Sequence, residues 1–171
     1  MAFSPELLDK LQRLEPDAWT GIVYRHMVAD YPPTLENIRG ARWNPRGTPA
    51  IYASLDRETC LAEASYILSL QPLAARVKRT IYRIGVKLSS VLDLRDHSVL
   101  QDVAFPPEEL ESIEYRHCQE VGGAVAWLGS DGLLIPSARK RGGSNLVIFT
   151  ASQTQDTDFE VIDSEEIARN P

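Results

Sequence analysis

The chain has 171 residues, 43% of them hydrophobic and 25% charged, a composition that builds a single-domain core and excludes disorder. Lys plus Arg number 18 against 24 Asp plus Glu, and the net charge of −6 argues against a nucleic-acid-binding surface, which needs a basic face to displace counterions. No apolar run approaches the roughly 18–20 residues of a membrane span, the N-terminus lacks the basic and apolar regions of a signal peptide, and Cys60 and Cys118 have no paired spacing, so a cytoplasmic chain without a disulfide framework is expected.

Leu7, Leu8, Leu11 and Leu14 recur at helical spacing and Pro16 follows, which predicts a helix over 4–14. Ile22 to Met27 has strand composition, and Asp30-Tyr31-Pro32-Pro33 and Asn44-Pro45-Arg46-Gly47 are loop-like. A short strand is expected over 50–54. Asp56 is a suitable N-cap for a helix running to about Leu70 and stopped by Pro72, with Cys60, Leu61, Ala64, Ile67 and Leu68 on its apolar face and Glu63 on the shoulder. Strands are expected over 80–88 and, separately, over 91–94. Pro106-Pro107 opens an acidic segment, and Cys118, Val121, Val125 and Leu128 mark a second long helix. Gly122 and Gly123 inside it cost stability relative to alanine and imply close packing on another element. Residues 132–136 and 145–150 read as strands joined by the basic loop 139–144, and 159–162 as a last edge strand. Strands and helices mix without regular alternation, an α+β pattern.

Generic chemical motifs are lacking. Gly142-Gly143-Ser144 follows a basic run without the spacing or the Lys-Ser/Thr end of a phosphate-binding loop. His26, His97 and His117 have no metal-ligand spacing, and His117-Cys118 reads as an ordinary helix pair.

Several blocks in order carry more. They are Tyr24-Arg25; Gly40-Ala41-Arg42-Trp43-Asn44-Pro45-Arg46-Gly47 running into Ile51-Tyr52-Ala53-Ser54; Leu61-Ala62-Glu63; Gln119-Glu120-Val121-Gly122-Gly123 before Trp127-Leu128; Leu134-Ile135-Pro136-Ser137-Ala138; and Asn145-Leu146-Val147-Ile148-Phe149. Together they resemble the RES domain, the toxin half of Xre–RES toxin–antitoxin pairs, from about Val23 to Ile162. Ala124 departs from the pattern, standing where a glycine usually precedes the tryptophan by three residues. The resemblance divides the chain into an N-terminal helical extension, 1–20, and a RES domain, 21–171. It implies an ADP-ribosyltransferase-like α+β fold in which two small β-sheets flank a cleft for NAD, bound as substrate. It implies no metal, and an Xre-type antitoxin that blocks the cleft. Cleavage of the nicotinamide–ribose bond follows, with water, phosphate or a protein side chain as acceptor.

Breaking that bond develops positive charge on the ribose, as in glycosidases, and a carboxylate beside the sugar stabilises it. The resemblance gives Glu63 this role; without it, a solvated helix glutamate is the simpler reading. Guanidinium groups bind phosphate bidentately, so Arg25 and Arg42 are assigned to NAD, Arg25 also to catalysis, with Arg46 a weaker third. The alternatives are an exposed strand arginine for Arg25 and a partner acid for Arg42. Tyr52 is assigned to catalysis and to NAD, since it can stack on nicotinamide and present its hydroxyl near the ribose, or it is a half-buried strand residue. Ser137 can bond the ribose or amide, or form a turn. Trp43 and Trp127 read as core, and Asn44 either as a site residue or, as an Asn before Pro usually is, as a turn device. The cations of loop 139–144 either draw in an anionic partner or are merely solvated. An RNA-cleaving toxin uses similar side chains, but the acidic balance opposes it; a non-catalytic module of the same fold would have lost Glu63, Arg25 or Arg42.

Overall fold

The computed structural model describes residues 3–70, 77–103, 106–154 and 156–167. Helix α1 (Pro5–Gln12) starts on a Ser4 cap whose hydroxyl accepts the Leu7 N–H at 3.1 Å, with Pro5 in the first turn. Strand β1 (Asp17–Val28) leads through a long loop to β2 (Ala50–Ser54). Helix α2 (Arg57–Leu70) follows at once, and Asp56 caps it as expected, accepting from the Thr59 N–H at 2.8 Å and the Thr59 hydroxyl at 2.6 Å. Then come β3 (Arg79–Asp93), α3 (His97–Asp102), a 3-10 turn (Pro107–Leu110), α4 (Arg116–Trp127), β4 (Gly132–Pro136), β5 (Ser144–Phe149) and β6 (Asp158–Ile167). The Pro72 helix stop lies outside the described residues. Among those described, no helix is long and apolar enough to cross a membrane.

The strands form one six-stranded sheet, β1-β2-β5-β4-β3-β6, and β1 also pairs with β3, so five of them close into a barrel-like ring. This corrects the expectation of two small sheets. The 15-residue β3 joins what would be separate layers, meeting β1 along one edge and β6, then β4, along the other. It also corrects the division of 80–88 from 91–94. Ser89 and Ser90 interrupt the apolar pattern, yet their backbone N–H groups donate to the buried Asp131 carboxylate at 2.8 and 2.9 Å, which holds the strand straight through the break. Strand β6 runs well past 162, because its acidic half is tied by Arg83–Asp163 at 2.7 Å, by an Arg57–Glu165 pair and by Lys78–Glu166 at 3.9 Å. Helix α3 was not expected; Asp96 caps it, accepting from the Ser98 N–H at 2.8 Å.

Alternate residues feed two cores. Val23, Ile51, Ala53, Ile84, Val86, Leu134, Leu146 and Ile148 fill the ring. Ala50, Leu133, Ile135, Val147 and Phe149 face outward, where Leu7 and Leu11 of α1, Leu100 of α3 and Val121 and Val125 of α4 cover them. The helical extension expected over 1–20 therefore packs into the main core, and β1 begins within it. In α2 the buried stripe is Thr59, Cys60, Ala64 and Leu68, while Ile67 is exposed, so the face is rotated from the expected one. The glycine pair behaves as its cost implied: a Cβ on Gly122 would stand 1.9 Å from the Trp43 carbonyl oxygen, so α4 and the 41–44 turn touch backbone to backbone. Trp43 is core, but Trp127 is 65% exposed. As the last residue of α4 it lies beyond the layer's edge and packs only obliquely on Phe3, with ring centroids 6.5 Å apart.

Candidate active site

Strand register brings the site together. Tyr24 of β1 lies opposite Ser54 of β2, Ser54 opposite Asn145 of β5, and Asn145 opposite Ile135 of β4. This row crosses four strands at one end of the sheet. Arg25 follows its first member, Ser137 lies two residues beyond its last, and α2 leaves β2 just past Ser54. The Tyr24–Ser54 bridge is the sole pairing between β1 and β2, so the strands part there.

The half-buried Glu63 projects from the second turn of α2 and is held at one oxygen. Its Oε1 accepts from the Ser137 hydroxyl at 2.6 Å and from the Asn145 side-chain amide at 2.8 Å. Oε2 accepts no hydrogen bond among the described residues, which leaves one face of the carboxylate for a ligand. Ser137 is itself fixed, since its oxygen accepts the backbone N–H groups of Arg139 and Lys140 at 3.1 and 3.0 Å. Loop 139–144 is a clamp: Lys140 pairs with Asp56 at 3.2 Å and Glu58 at 2.7 Å, and the Arg139 guanidinium stacks 3.4 Å over the Tyr66 ring, one turn beyond Glu63. Two of the three cations, for which steering and plain solvation were the alternatives, are thus engaged within the fold, and Arg141 is exposed.

Arg25 is 9% exposed. Its Nε donates to the Met27 sulfur at 3.1 Å and one terminal nitrogen to the Leu35 carbonyl at 2.5 Å, while the other, Nη1, is buried without a partner among the described residues. Burial lowers its pKa to about 10, so it stays cationic at neutral pH. A buried cation held by a sulfur and a carbonyl, with an N–H left over, is suited to an anion. Burial pushes the Cys60 thiol up to about 12, so it stays a neutral, buried residue of α2.

The remaining assignments fare differently. The Tyr52 hydroxyl donates to Asn44 Oδ1 at 2.7 Å and accepts the Trp43 N–H at 2.9 Å, and burial pushes its pKa up. It holds the 43–44 turn, so only the ring is left to meet a ligand. Asn44 is the turn device expected, its amide donating to the Asn37 and Thr48 carbonyls at 3.0 and 2.7 Å. The Arg42 fork is directed elsewhere: it donates to the Glu109 and Ser112 carbonyls at 2.9 and 2.7 Å and lies 5.2 Å over the Tyr115 ring. Arg42 therefore fastens the segment before α4, and neither partner is the acid expected. Arg46 is exposed at its turn, and His117 pairs with Glu109. Asn145 and Ser54 were in the matching blocks without a role; the signal was their place at the facing ends of two strands. The cavities of about 250, 310 and 240 Å³ include none of Arg25, Glu63, Ser137 or Asn145.

Comparison with known proteins gives a consistent picture. The RES domain model matches residues 9–169. The NAD(+) phosphorylase MbcT of Mycobacterium bovis and that of Mycobacterium tuberculosis are each 30% identical over 119 residues. That segment is 67% of this chain and 62% of the relatives' length. The crystal structure of the M. tuberculosis MbcT–MbcA toxin–antitoxin complex superposes with a TM-score of 0.86 at 22% identity, over 98% of this chain and 95% of the matched one.

Proposed function

The chain belongs to the RES domain family, and from that premise we propose that it is a toxin enzyme that cleaves the nicotinamide–ribose bond of NAD, with inorganic phosphate as acceptor. The observation that carries the reading is the Glu63 carboxylate, fixed at Oε1 by Ser137 and Asn145 and open at Oε2. The name of the MbcT relatives favours phosphate over water or a protein side chain. As the C1′–N bond breaks, its electron pair passes to the nicotinamide nitrogen and neutral nicotinamide leaves. Positive charge then spreads over C1′ and the ring oxygen of the ribose. Glu63 lies opposite that charge, already oriented, so little reorganisation is needed at the moment of reaction. A phosphate oxygen bonds to C1′ and the product is ADP-ribose 1-phosphate. Arg25 supplies the positive charge for the pyrophosphate or the incoming phosphate, Ser137 keeps Glu63 in place, and the Tyr52 ring offers a face for nicotinamide. An Xre-type antitoxin covering the site in the cytoplasm completes the pair, in keeping with the solved complex of the structural relative.

The test is to incubate the antitoxin-free protein with NAD, with and without phosphate, and to identify the products by mass spectrometry. ADP-ribose 1-phosphate that appears only with phosphate is expected. Free ADP-ribose in both would make the enzyme a hydrolase, and mass added to a protein would make it a transferase. Glu63→Gln is expected to lower turnover on the order of 10²-fold or more while the protein stays folded; turnover like that of the parent would remove Glu63 from the chemistry.

A further inference from the structure

We propose that Asn145, fixed in turn by Ser54, is a positioning residue that sets the direction of the Glu63 carboxylate; the inference rests on the role given to Glu63 above. The hydrogen bonds run one way only. A carboxylate is an acceptor, so the side chain of Asn145 must turn its amide nitrogen to Glu63 Oε1, at 2.8 Å. Its Oδ1 then faces the Ser54 hydroxyl, which donates to it at 2.7 Å. Ser54 is 4% exposed, so no bulk water competes for that bond. The order Ser54 to Asn145 to Glu63 leaves no alternative amide orientation that satisfies every atom. Ser137 approaches the same Oε1 from the other strand end. Two donors on one oxygen, each locked from behind, fix both the position and the roll of the carboxylate, and so where Oε2 points.

A misplaced group about 1 Å from its productive position loses about 10²-fold in rate. Asn145→Ala is therefore expected to lower kcat 10- to 100-fold on the order of that effect, with KM changed far less. Ser54→Ala, which leaves Asn145 Oδ1 without its donor, follows in the same direction, and Ser54→Thr, which keeps the hydroxyl, recovers the rate. Asn145→Asp is the decisive variant. It sets a second carboxylate against Glu63 Oε1, and two carboxylates sharing a site retain one proton to higher pH. The acid limb of its kcat profile is expected to move up by about one pH unit or more, a displacement that mere loss of stability cannot produce. Thermal unfolding of each variant accompanies the kinetics. An Asn145→Asp profile that superimposes on that of the parent, or an Asn145→Ala variant that raises KM with kcat intact, overturns the inference. Glu63→Gln separates the two readings: if that variant turns over NAD normally, the role of Glu63 itself fails, whereas if it is inactive and Asn145→Asp is unshifted, only the positioning role fails.

Discussion

Replacing Gly122 by alanine tests the contact on which the 41–44 turn rests. A Cβ at this position lies 1.9 Å from the Trp43 carbonyl oxygen and 2.8 Å from its carbonyl carbon. Carbon–oxygen contacts settle no closer than about 3.3 Å, so helix and turn must part by roughly 1.4 Å. The turn has little room to yield. Trp43 is 1% exposed, its N–H is bonded to Tyr52, and the next residue, Asn44, is held by three side-chain hydrogen bonds. Overpacking of this kind costs about 1–3 kcal/mol and sometimes more, while alanine returns about 1 kcal/mol of helix propensity. With rigid backbone as the obstacle, a net loss of about 2 kcal/mol is expected, a fall of roughly 4–8 °C in Tm for a chain of this length. Gly123→Ala is the control. Its Cβ meets Pro45 Cγ at 2.9 Å and the Phe3 ring at 3.1 Å, side-chain atoms that give way more easily, so its loss is smaller. Thermal unfolding followed by circular dichroism reads both. A Gly122→Ala protein as stable as the parent, or less affected than Gly123→Ala, would refute the reasoning.

The two arginines of the matching blocks are expected to separate. Arg25→Ala weakens NAD binding, with only partial recovery in Arg25→Lys because a point charge cannot reproduce the fork; Arg42→Ala lowers Tm through the lost Glu109 and Ser112 carbonyl bonds but leaves affinity unchanged. Calorimetric titration that finds equal losses in both alanine variants would return Arg42 to the binding site. A third prediction concerns acid. Burial, helped by Arg79, lowers the His26 pKa from 6.5 to about 4, and its Nε2 is buried without a partner among the described residues. Between those values the unfolded chain binds a proton that the folded one does not, so His26 costs stability progressively as pH falls from 6.5 to about 4 and no further below that. Allowing for screening of a partly exposed ring, the loss is about 1–2 kcal/mol. Urea unfolding at pH 7 and pH 5 is expected to show a smaller acid loss in His26→Gln than in the parent, and equal losses would exclude His26 as the cause.

Much of this molecule is legible where a segment's own residues decide its state. Helix α2 is an example, with Asp56 at its cap and an apolar stripe at helical spacing, and so are β2, β4 and β5, whose apolar residues are buried by whatever lies on either side. What escapes the sequence is held from far away. Strand β3 continues through Ser89 and Ser90 because of Asp131, some forty residues on, and β6 is extended by acids that find Arg57, Arg83 and Lys78 on other elements. Periodicity contains neither partner. Trp127 shows the converse: a large apolar side chain at helical spacing is buried only if the helix end lies under something, and α4 ends too soon.

The site obeys the same distinction. Arg25 and Arg42 are alike in type, each lies in a block that matches the family, and each is near a strand. What separates them is how their donors are satisfied. The terminal nitrogens of Arg42 are directed to two carbonyls, so its charge is spent on folding the chain before α4. Arg25 keeps Nη1 buried and unpaired among the described residues, a cost to folding. Glu63 extends the argument to a carboxylate, with one oxygen saturated and the other open. Tyr52 marks its limit, since its hydroxyl is occupied on both counts and whatever it does for a ligand falls to the ring. A residue type in a pattern proposes the chemistry, and the count of its unsatisfied atoms decides whether it is free to perform it.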